Sequence, residues 1–559
     1  MLRSFNPCRL GFCGVKWEKT LEEMKKLPIG IQSINKVLLN GDYIYIDKTL
    51  FIKRLLDEGA PHYFLSRPRR FGKSLFLNTL KEVLSGNKEL FRECAIYESD
   101  YDWKHHPIIH LDFSQIPNKN PELLETGIKE TLEDIAASNQ VTITGSSNKT
   151  RFKRLIEKLS KKNLVVILID EYDKPIIDQM HHHSIAQENR EVLKSFLETL
   201  KGSDDYLKFS FITGVSQFSQ VSLFSGLNNL KNITMNPKYA EVMGYTEKEI
   251  KTSFDDHIQA IIKKRSEQGR STTEKQVLKE LRSWYNGYRF TRSEAYVYNP
   301  FSTLNYMDEQ ETSPYWYRTG TPSFLISQVK KTPETITTLR GKSILDTTLS
   351  HASHIEKVGL APLMFQTGYL TIRSYNPEED SYQLDFPNKE VEKAFFDSLL
   401  KDFAEIDPLM VQRDAKELLA DLRELNLSSF ITKINIHFAK VSYHLFSHAQ
   451  EGFYQAVFFT LLEASGIRTV AEMATNIGRI DLICEMEHAT IIFELKLDKT
   501  ADIALKQAEI KKYQERYALD GKEILVMGVN FSSKSRNIGE WKGKLFCPSG
   551  GLKKELYPG

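Results

Sequence analysis

Asp481, Glu494 and Lys496 lie in the string GRIDLICEMEHATIIFELKLD, residues 478–498, as an acid, a twelve-residue gap, then an acid and a lysine two apart. Residues two apart on a strand share a face, so Glu494 and Lys496 are expected to point one way while Phe493 and Leu495 point into a core. EMEH reads as a turn, and the hairpin it closes brings Asp481 alongside the pair. Two carboxylates offer oxygen ligands to Mg²⁺, the ion stabilises charge on a phosphate, and a lysine polarises water or neutralises the transition state. That is the chemistry of phosphodiester cleavage. Glu451, opening the helical string EGFYQAVFFTLLEASG, is a further candidate acid. The competing reading is an outward salt-bridged strand face. The apolar setting of FELK argues against it, because unpaired charge there is costly.

A second constellation lies in SRPRRFGKSL, residues 66–75, which follows an apolar strand and opens a helix. Gly72, Lys73 and Ser74 match the second half of the P-loop pattern G-x-x-x-x-G-K-[ST]. Gly72 lets backbone amides approach phosphate oxygens, Lys73 reaches the β/γ-phosphates, and the Ser74 hydroxyl holds Mg²⁺ at a helix N-terminus that favours anions. The first glycine of the pattern is replaced by Arg67. LVVILIDEYD then ends an apolar strand with Asp170, placed for the metal, and Glu171, placed to orient or deprotonate a water. Thr213, ending FSFITG, stands where a polar nucleotide sensor is expected. Arg67, Arg69 and Arg70 crowd the loop. They suit triphosphate charge (Arg70 first), a neighbouring subunit's nucleotide in a homo-oligomer, or a plain solvated surface. ATP and Mg²⁺ are the expected cofactors.

The elements that must position these groups follow from hydrophobic period. Apolar strands at HYFLS (62–66), PIIHLDF (107–113), LVVILID (164–170) and KFSFITG (208–214) alternate with helical stretches at 74–84 and 121–138. That alternation predicts a parallel sheet covered on both faces. HLDF, between the two motifs in sequence, fits the P-loop subclass with an inserted strand. The expected fold class is α/β: a P-loop domain at 25–220, a helical lid at 221–345, a small winged-helix-like module at 346–390, a helical linker at 391–440 and a second α/β domain at 441–545. A poorly defined extension at 1–24 and a tail at 546–559 flank them. The aromatic clusters at 284–290 and 315–317 are expected to form core, or a lid against the P-loop domain, rather than to stack bases.

With 559 residues the chain needs more than one core. Its composition, 41% hydrophobic and 26% charged, is globular, and a net charge of +2 gives no overall footprint for nucleic acid, so that reading rests on local sites. Five cysteines, Cys8, Cys13, Cys94, Cys484 and Cys547, make no CxxC pair, which fits a reducing cytoplasm. No aliphatic run nears the ~18 residues of a spanning helix, so no membrane partner is expected. His181–His183 lie in a polar stretch without metal-ligand spacing and read as a solvated loop.

At these motifs the chain resembles the bacterial AAA-ATPase-like proteins that carry a C-terminal PD-(D/E)XK nuclease domain. The likeness runs nearly the whole length after residue 24, through LPIGIQSI, YIDKT, RPRRFGKSL, LIDEYDKP, ITGVSQFS, WYNGYRF, VYNPFS, FQTGYL, FPNKEV, GRIDL, FELK and GVNFSSK. The resemblance implies a restriction-endonuclease-like second domain with Asp481, Glu494 and Lys496 at its core, and nucleotide and Mg²⁺ roles for Lys73, Ser74, Asp170 and Glu171. Gln507 and Tyr513 are similar to the Gln/Tyr pairs of such nucleases, although their spacing departs from the tighter QxxxY pattern. The implied function is an ATP-gated, Mg²⁺-dependent nuclease acting on nucleic acid, DNA first. Two rivals stand beside it: a nucleotide switch whose second domain binds nucleic acid without cutting, and an ATPase acting on protein partners.

Overall fold

The computed structural model describes residues 24–217, 223–224, 229–320, 323–350, 359–447, 449–474, 479–517 and 520–558. The expected extension at 1–24 therefore lies, apart from Met24, outside the described residues. Five strands build the first sheet: β1 (His62–Ser66), β2 (Ile108–Asp112), β3 (Val165–Asp170), β4 (Leu207–Gly214) and β5 (Leu230–Asn232). They run parallel in the order β2-β3-β4-β1-β5. Their apolar runs are buried on both faces, as a parallel sheet requires. Phe64 points to a core shared with helices 121–138, 148–159 and 183–197, while Tyr63 and Leu65 point to the core under α1 (Lys73–Leu84). The subclass with an inserted strand holds, but the inserted strand is β4, which separates the P-loop strand β1 from β3, while HLDF forms β2 at the sheet edge. The order brings the carboxyl ends of β1, β4 and β3 side by side, where open α/β sheets bind ligands.

Helices at 247–253, 255–267, 274–285 and 300–309 form the lid around a core of their own. Capping boxes at Thr246 and Thr273 fix two of their starts, each side chain taking an amide three residues on while Glu249 or Gln276 reaches back. The small module that follows has β6 (Lys342–Leu345), α2 (Leu360–Thr367), β7 (Thr371–Asn376) and β8 (Ser381–Asp385), with the strands antiparallel in the order β6-β8-β7. β6 pairs with β8, so this sheet straddles the boundary expected at 345/346.

α3 (Lys389–Asp402), helices 408–423 and 427–438, and α4 (Glu451–Ala464) lead into a second sheet. It contains β9 (Thr469–Ala474), β10 (Arg479–Glu485), β11 (Ala489–Leu497), β12 (Glu523–Ser532), β13 (Asn537–Phe546) and β14 (Leu552–Leu556), hydrogen-bonded in reverse chain order. Only the β11–β12 pair is parallel. The crossover joining that pair is α5 (Ala501–Ile510), as parallel neighbours need. The segment expected as a tail is no tail: β13 runs to Phe546 and β14 extends the sheet. Phe493 and Leu495 face the core that includes α4, while Ile492 faces the core beneath α5.

Gly528 on β12 sits opposite Glu494 on β11 and lets α5 press onto the sheet. A Cβ there would stand 2.4 Å from the Ala501 carbonyl oxygen and 2.7 Å from the Leu505 amide. Backbone cannot yield as a flexible side chain does. Gly528→Ala is therefore expected to destabilise the C-terminal unit by about 1–3 kcal/mol, read as a lower thermal midpoint.

Candidate functional site

The hairpin of β10 and β11 converges the three C-terminal groups. Lys496 Nζ donates to Glu494 Oε1 at 3.0 Å and stands 3.9 Å from Asp481 Oδ2. The same ammonium donates to the Leu495 carbonyl at 2.8 Å, and Asp481 Oδ2 accepts the Leu495 amide at 2.8 Å. Glu451, at the first turn of α4, accepts the Leu497 amide at 3.1 Å, which ties that helix start to the end of β11. Tyr513 and Gln507 complete the wall, the phenol lying beside the Glu494 carboxylate. The six-residue spacing that departs from the tighter pattern thus still delivers the tyrosine to the acid.

Glu494 is 0% exposed, and its Oε2 has no hydrogen-bond partner among the described residues. Burial, reinforced by the nearby Asp481 charge, pushes its carboxyl up to about 7. Burial also raises Asp481. For Lys496 burial acts downward, but Glu494 and Asp481 outweigh it and hold the ammonium charged. A buried carboxylate oxygen with nothing to bond is costly unless a cation takes it. Among the described residues no three His, Cys, Asp or Glu side chains close around one point. Mg²⁺ does not need that cage, since it commonly takes one or two carboxylates and completes its shell with water and substrate phosphate. The Asp481–Glu494 donor set fits such an ion.

At the first site Gly72, with φ +91°, caps α1 in the left-handed region that glycine adopts freely. Lys73 is 5% exposed and donates to the carbonyls of Arg67 and Pro68, both at 3.1 Å. Burial lowers its pKa, against the charges of Asp170, Glu171 and Asp173 that favour the ammonium. The Ser74 hydroxyl lies near enough to the Asp170 carboxylate to favour its charged form, against the burial that raises it, so the pair expected to share a metal are neighbours. Glu171, which lines the cavity below, has φ +48° and donates its amide to the Asp170 carboxylate at 3.0 Å, a strained turn. That cavity, about 480 Å³, is lined by Arg69, Arg70, Lys73, Ser74 and Glu171, with lid and module residues such as Phe301 and Thr367 opposite.

Two expectations for this site fail on geometry. Thr213 does not line the cavity: it is 0% exposed, and its hydroxyl donates to the Leu65 carbonyl at 2.8 Å, across β4 and β1. Arg67 is 1% exposed and donates to the carbonyls of Ser66, Thr234 and Tyr239, with its guanidinium 4.4 Å over the Phe290 ring. It props the loop and cannot reach phosphate or another subunit. Sequence reasoning also missed Asp173, the last residue of DEYD. Its carboxylate accepts the amides of Val215 and Ser216 and the Ser216 hydroxyl, tying the turn after β3 to the end of β4.

The lid aromatics pack on the phosphate loop itself. Phe71 meets Tyr288 and Phe290 edge-on at 4.8 and 5.4 Å, and Trp316 Nε1 donates to the Arg69 carbonyl at 2.9 Å. Glu390, fully buried at the start of α3, accepts the Trp316 amide at 2.6 Å and the Ser302 hydroxyl at 2.8 Å. Burial pushes its carboxyl up to about 8. Because that lies above the 4.5 of a free glutamate, its stabilising contribution is full below about pH 4.5 and is lost as pH rises through about 8. Glu390→Gln keeps an acceptor and removes the charge. The drop in thermal midpoint between neutral and alkaline buffer should therefore be smaller by a few degrees in the variant.

Residues 28–224 match the family described as a predicted AAA-ATPase, and residues 449–541 match the PD-(D/E)XK nuclease superfamily. The chain is 36% identical over 525 residues to an uncharacterized protein in the vnfD 5′ region of Azotobacter chroococcum mcd 1, covering 92% of this chain and 98% of the relative. The first match covers Lys73 and Asp170 together with β1 to β4, the second Asp481, Glu494 and Lys496 together with β9 to β12. The chain belongs to the family of AAA-ATPase-like proteins with a C-terminal PD-(D/E)XK nuclease domain.

Proposed function

We propose that this chain is a Mg²⁺-dependent nuclease whose cutting is gated by ATP bound at the P-loop, acting on nucleic acid, DNA first, in the bacterial cytoplasm. The observation that carries the reading is the convergence of Asp481, Glu494 and Lys496, with Glu494 buried and its Oε2 left without a hydrogen-bond partner among the described residues. Asp481 and Glu494 would hold Mg²⁺, which supplies Lewis-acid charge to a scissile phosphate. Lys496 keeps a proton and a positive charge beside the same point, suited to orient water and neutralise developing charge. Glu451 fixes the α4 start against β11 and adds negative charge to the site. At the other end Gly72, Lys73 and Ser74 would take the polyphosphate, with Ser74 and Asp170 on its Mg²⁺, Arg69 and Arg70 at the rim and Glu171 facing the water. The gate is supported by the direct contact of Trp316 and Tyr288 with the phosphate loop, and by Glu390 joining that contact to α3, which packs on α4.

No helix among the described residues is long and apolar enough to cross a membrane. The test is incubation of the purified chain with single- and double-stranded DNA and RNA, in Mg²⁺ or EDTA, with and without ATP. Cleavage that needs Mg²⁺ and changes with ATP is the expected result. Salt-sensitive binding without any cleavage would instead favour the switch reading, and no nucleic-acid binding the ATPase acting on proteins.

A further inference from the structure

Three carboxylates, Asp481, Glu494 and Glu451, stand at the C-terminal site against one lysine, and that lysine is spent on Glu494. Even with Mg²⁺ on Asp481 and Glu494 the site offers a polyanion little net positive charge, so a further cation at its rim would help seat the strand. Lys511 occupies the place for it. It caps α5, its backbone amide held by the Gln507 carbonyl at 3.1 Å. Lys512 then turns the chain through φ +47°, which sends Tyr513 back under the sheet beside Glu494 and leaves Lys511 at the rim, half-exposed. The Lys511 ammonium lies 5.8 Å from the Tyr513 ring centre and close enough to act electrostatically on both Asp481 and Glu494. Among the described residues it makes no direct ion pair, whereas neighbouring Lys512 pairs with Glu515 at 3.0 Å.

A lysine at a helix C-terminus gains a little from the helix dipole, about 0.3–1 kcal/mol. That gain explains a lysine on the last turn, not one held over the aromatic ring that abuts the catalytic acid. We propose that Lys511 is a positioning residue that binds a backbone phosphate of the nucleic acid and holds the strand against Asp481 and Glu494. The inference rests on the nuclease reading and adds to it the group that seats the substrate.

The test measures equilibrium binding of labelled DNA in Ca²⁺ across a salt series, and initial cleavage rates in Mg²⁺, for wild type, Lys511→Ala, Lys511→Arg and Lys506→Ala. Lys506, exposed on the same helix, controls for simple loss of charge. Lys511→Ala should raise Kd and KM about tenfold with kcat nearly unchanged, and flatten the slope of log affinity against log salt by about one. Lys511→Arg should restore both, and Lys506→Ala should resemble wild type. Unchanged Kd, KM and salt slope in Lys511→Ala would overturn the inference while leaving a cleaving wild type intact. A loss of kcat alone would overturn it as well. A wild type that binds but does not cut sinks the nuclease reading and leaves Lys511 to be judged on binding, and one that neither binds nor cuts removes both.

Discussion

Glu494→Gln is expected to abolish Mg²⁺-dependent cleavage, by at least about 10²-fold in kcat, while the protein stays folded. The substitution keeps the shape and the contact with Lys496 but takes away the anionic oxygen that a cation needs. Its effect on stability has the opposite sign from its effect on activity. The carboxyl, raised from 4.5 to about 7 by burial and by Asp481, stabilises the fold only while neutral, fully below about pH 4.5 and progressively less up to about 7. At pH 8 in EDTA the wild type therefore carries a buried carboxylate whose pairing with Lys496 does not offset its burial and the Asp481 charge, and Glu494→Gln should have an equal or higher thermal midpoint. Added Mg²⁺ should raise the wild-type midpoint and leave the variant's nearly unmoved. Cleavage by wild type should rise as pH climbs through about 7, because the ionised pair is the competent one. Retention of cleavage within tenfold in Glu494→Gln, or a metal-independent fall in its midpoint, would assign the residue to packing instead.

The strands were legible because their period is simple. β1 falls on the residues its apolar run predicted, and β2, β3 and β4 within one residue. The facing of Glu494 and Lys496 away from Phe493 and Leu495 followed from the two-residue repeat alone. What stayed hidden depends on contacts distant in sequence. Nothing local distinguishes Arg67 from Arg69, yet one is walled in by carbonyls from residues 234 and 239 and the other lines the cavity. Thr213 sits at the expected height on its strand, but the neighbour that claims its hydroxyl is Leu65 on β1, which only sheet order reveals. The tail was misjudged because β13 and β14, with Lys, Glu and Gly among few apolar residues, lack a strand-like hydrophobic run. β5 was missed because it is three residues long. Tyr513 had a signal in its resemblance, and its placement needed the reversal at Lys512.

Lys73→Ala is expected to weaken ATP binding by at least about 100-fold and to erase any ATP effect on cleavage, with nuclease activity in the absence of ATP unchanged. The ammonium is nearly excluded from water and bonded to the carbonyls of Arg67 and Pro68. Burial works against the charge there, so the lysine is costly to the empty fold and is justified by an anion that it meets on binding. Removing it should leave the unliganded protein no less stable, apart from the small void left by the side chain. The gain on adding ATP should disappear: a ligand at a hundred times its Kd adds about 2.7 kcal/mol, several degrees in midpoint, for wild type and almost nothing for the variant. The phosphate loop is also the surface that Tyr288, Phe290 and Trp316 clasp through Phe71 and the Arg69 carbonyl, so polyphosphate drawing Lys73 off the Arg67 and Pro68 carbonyls should disturb that contact directly. If Lys73→Ala binds ATP as wild type does, the loop is not a nucleotide site. If it loses ATP yet cutting still responds to the nucleotide, the gate lies elsewhere.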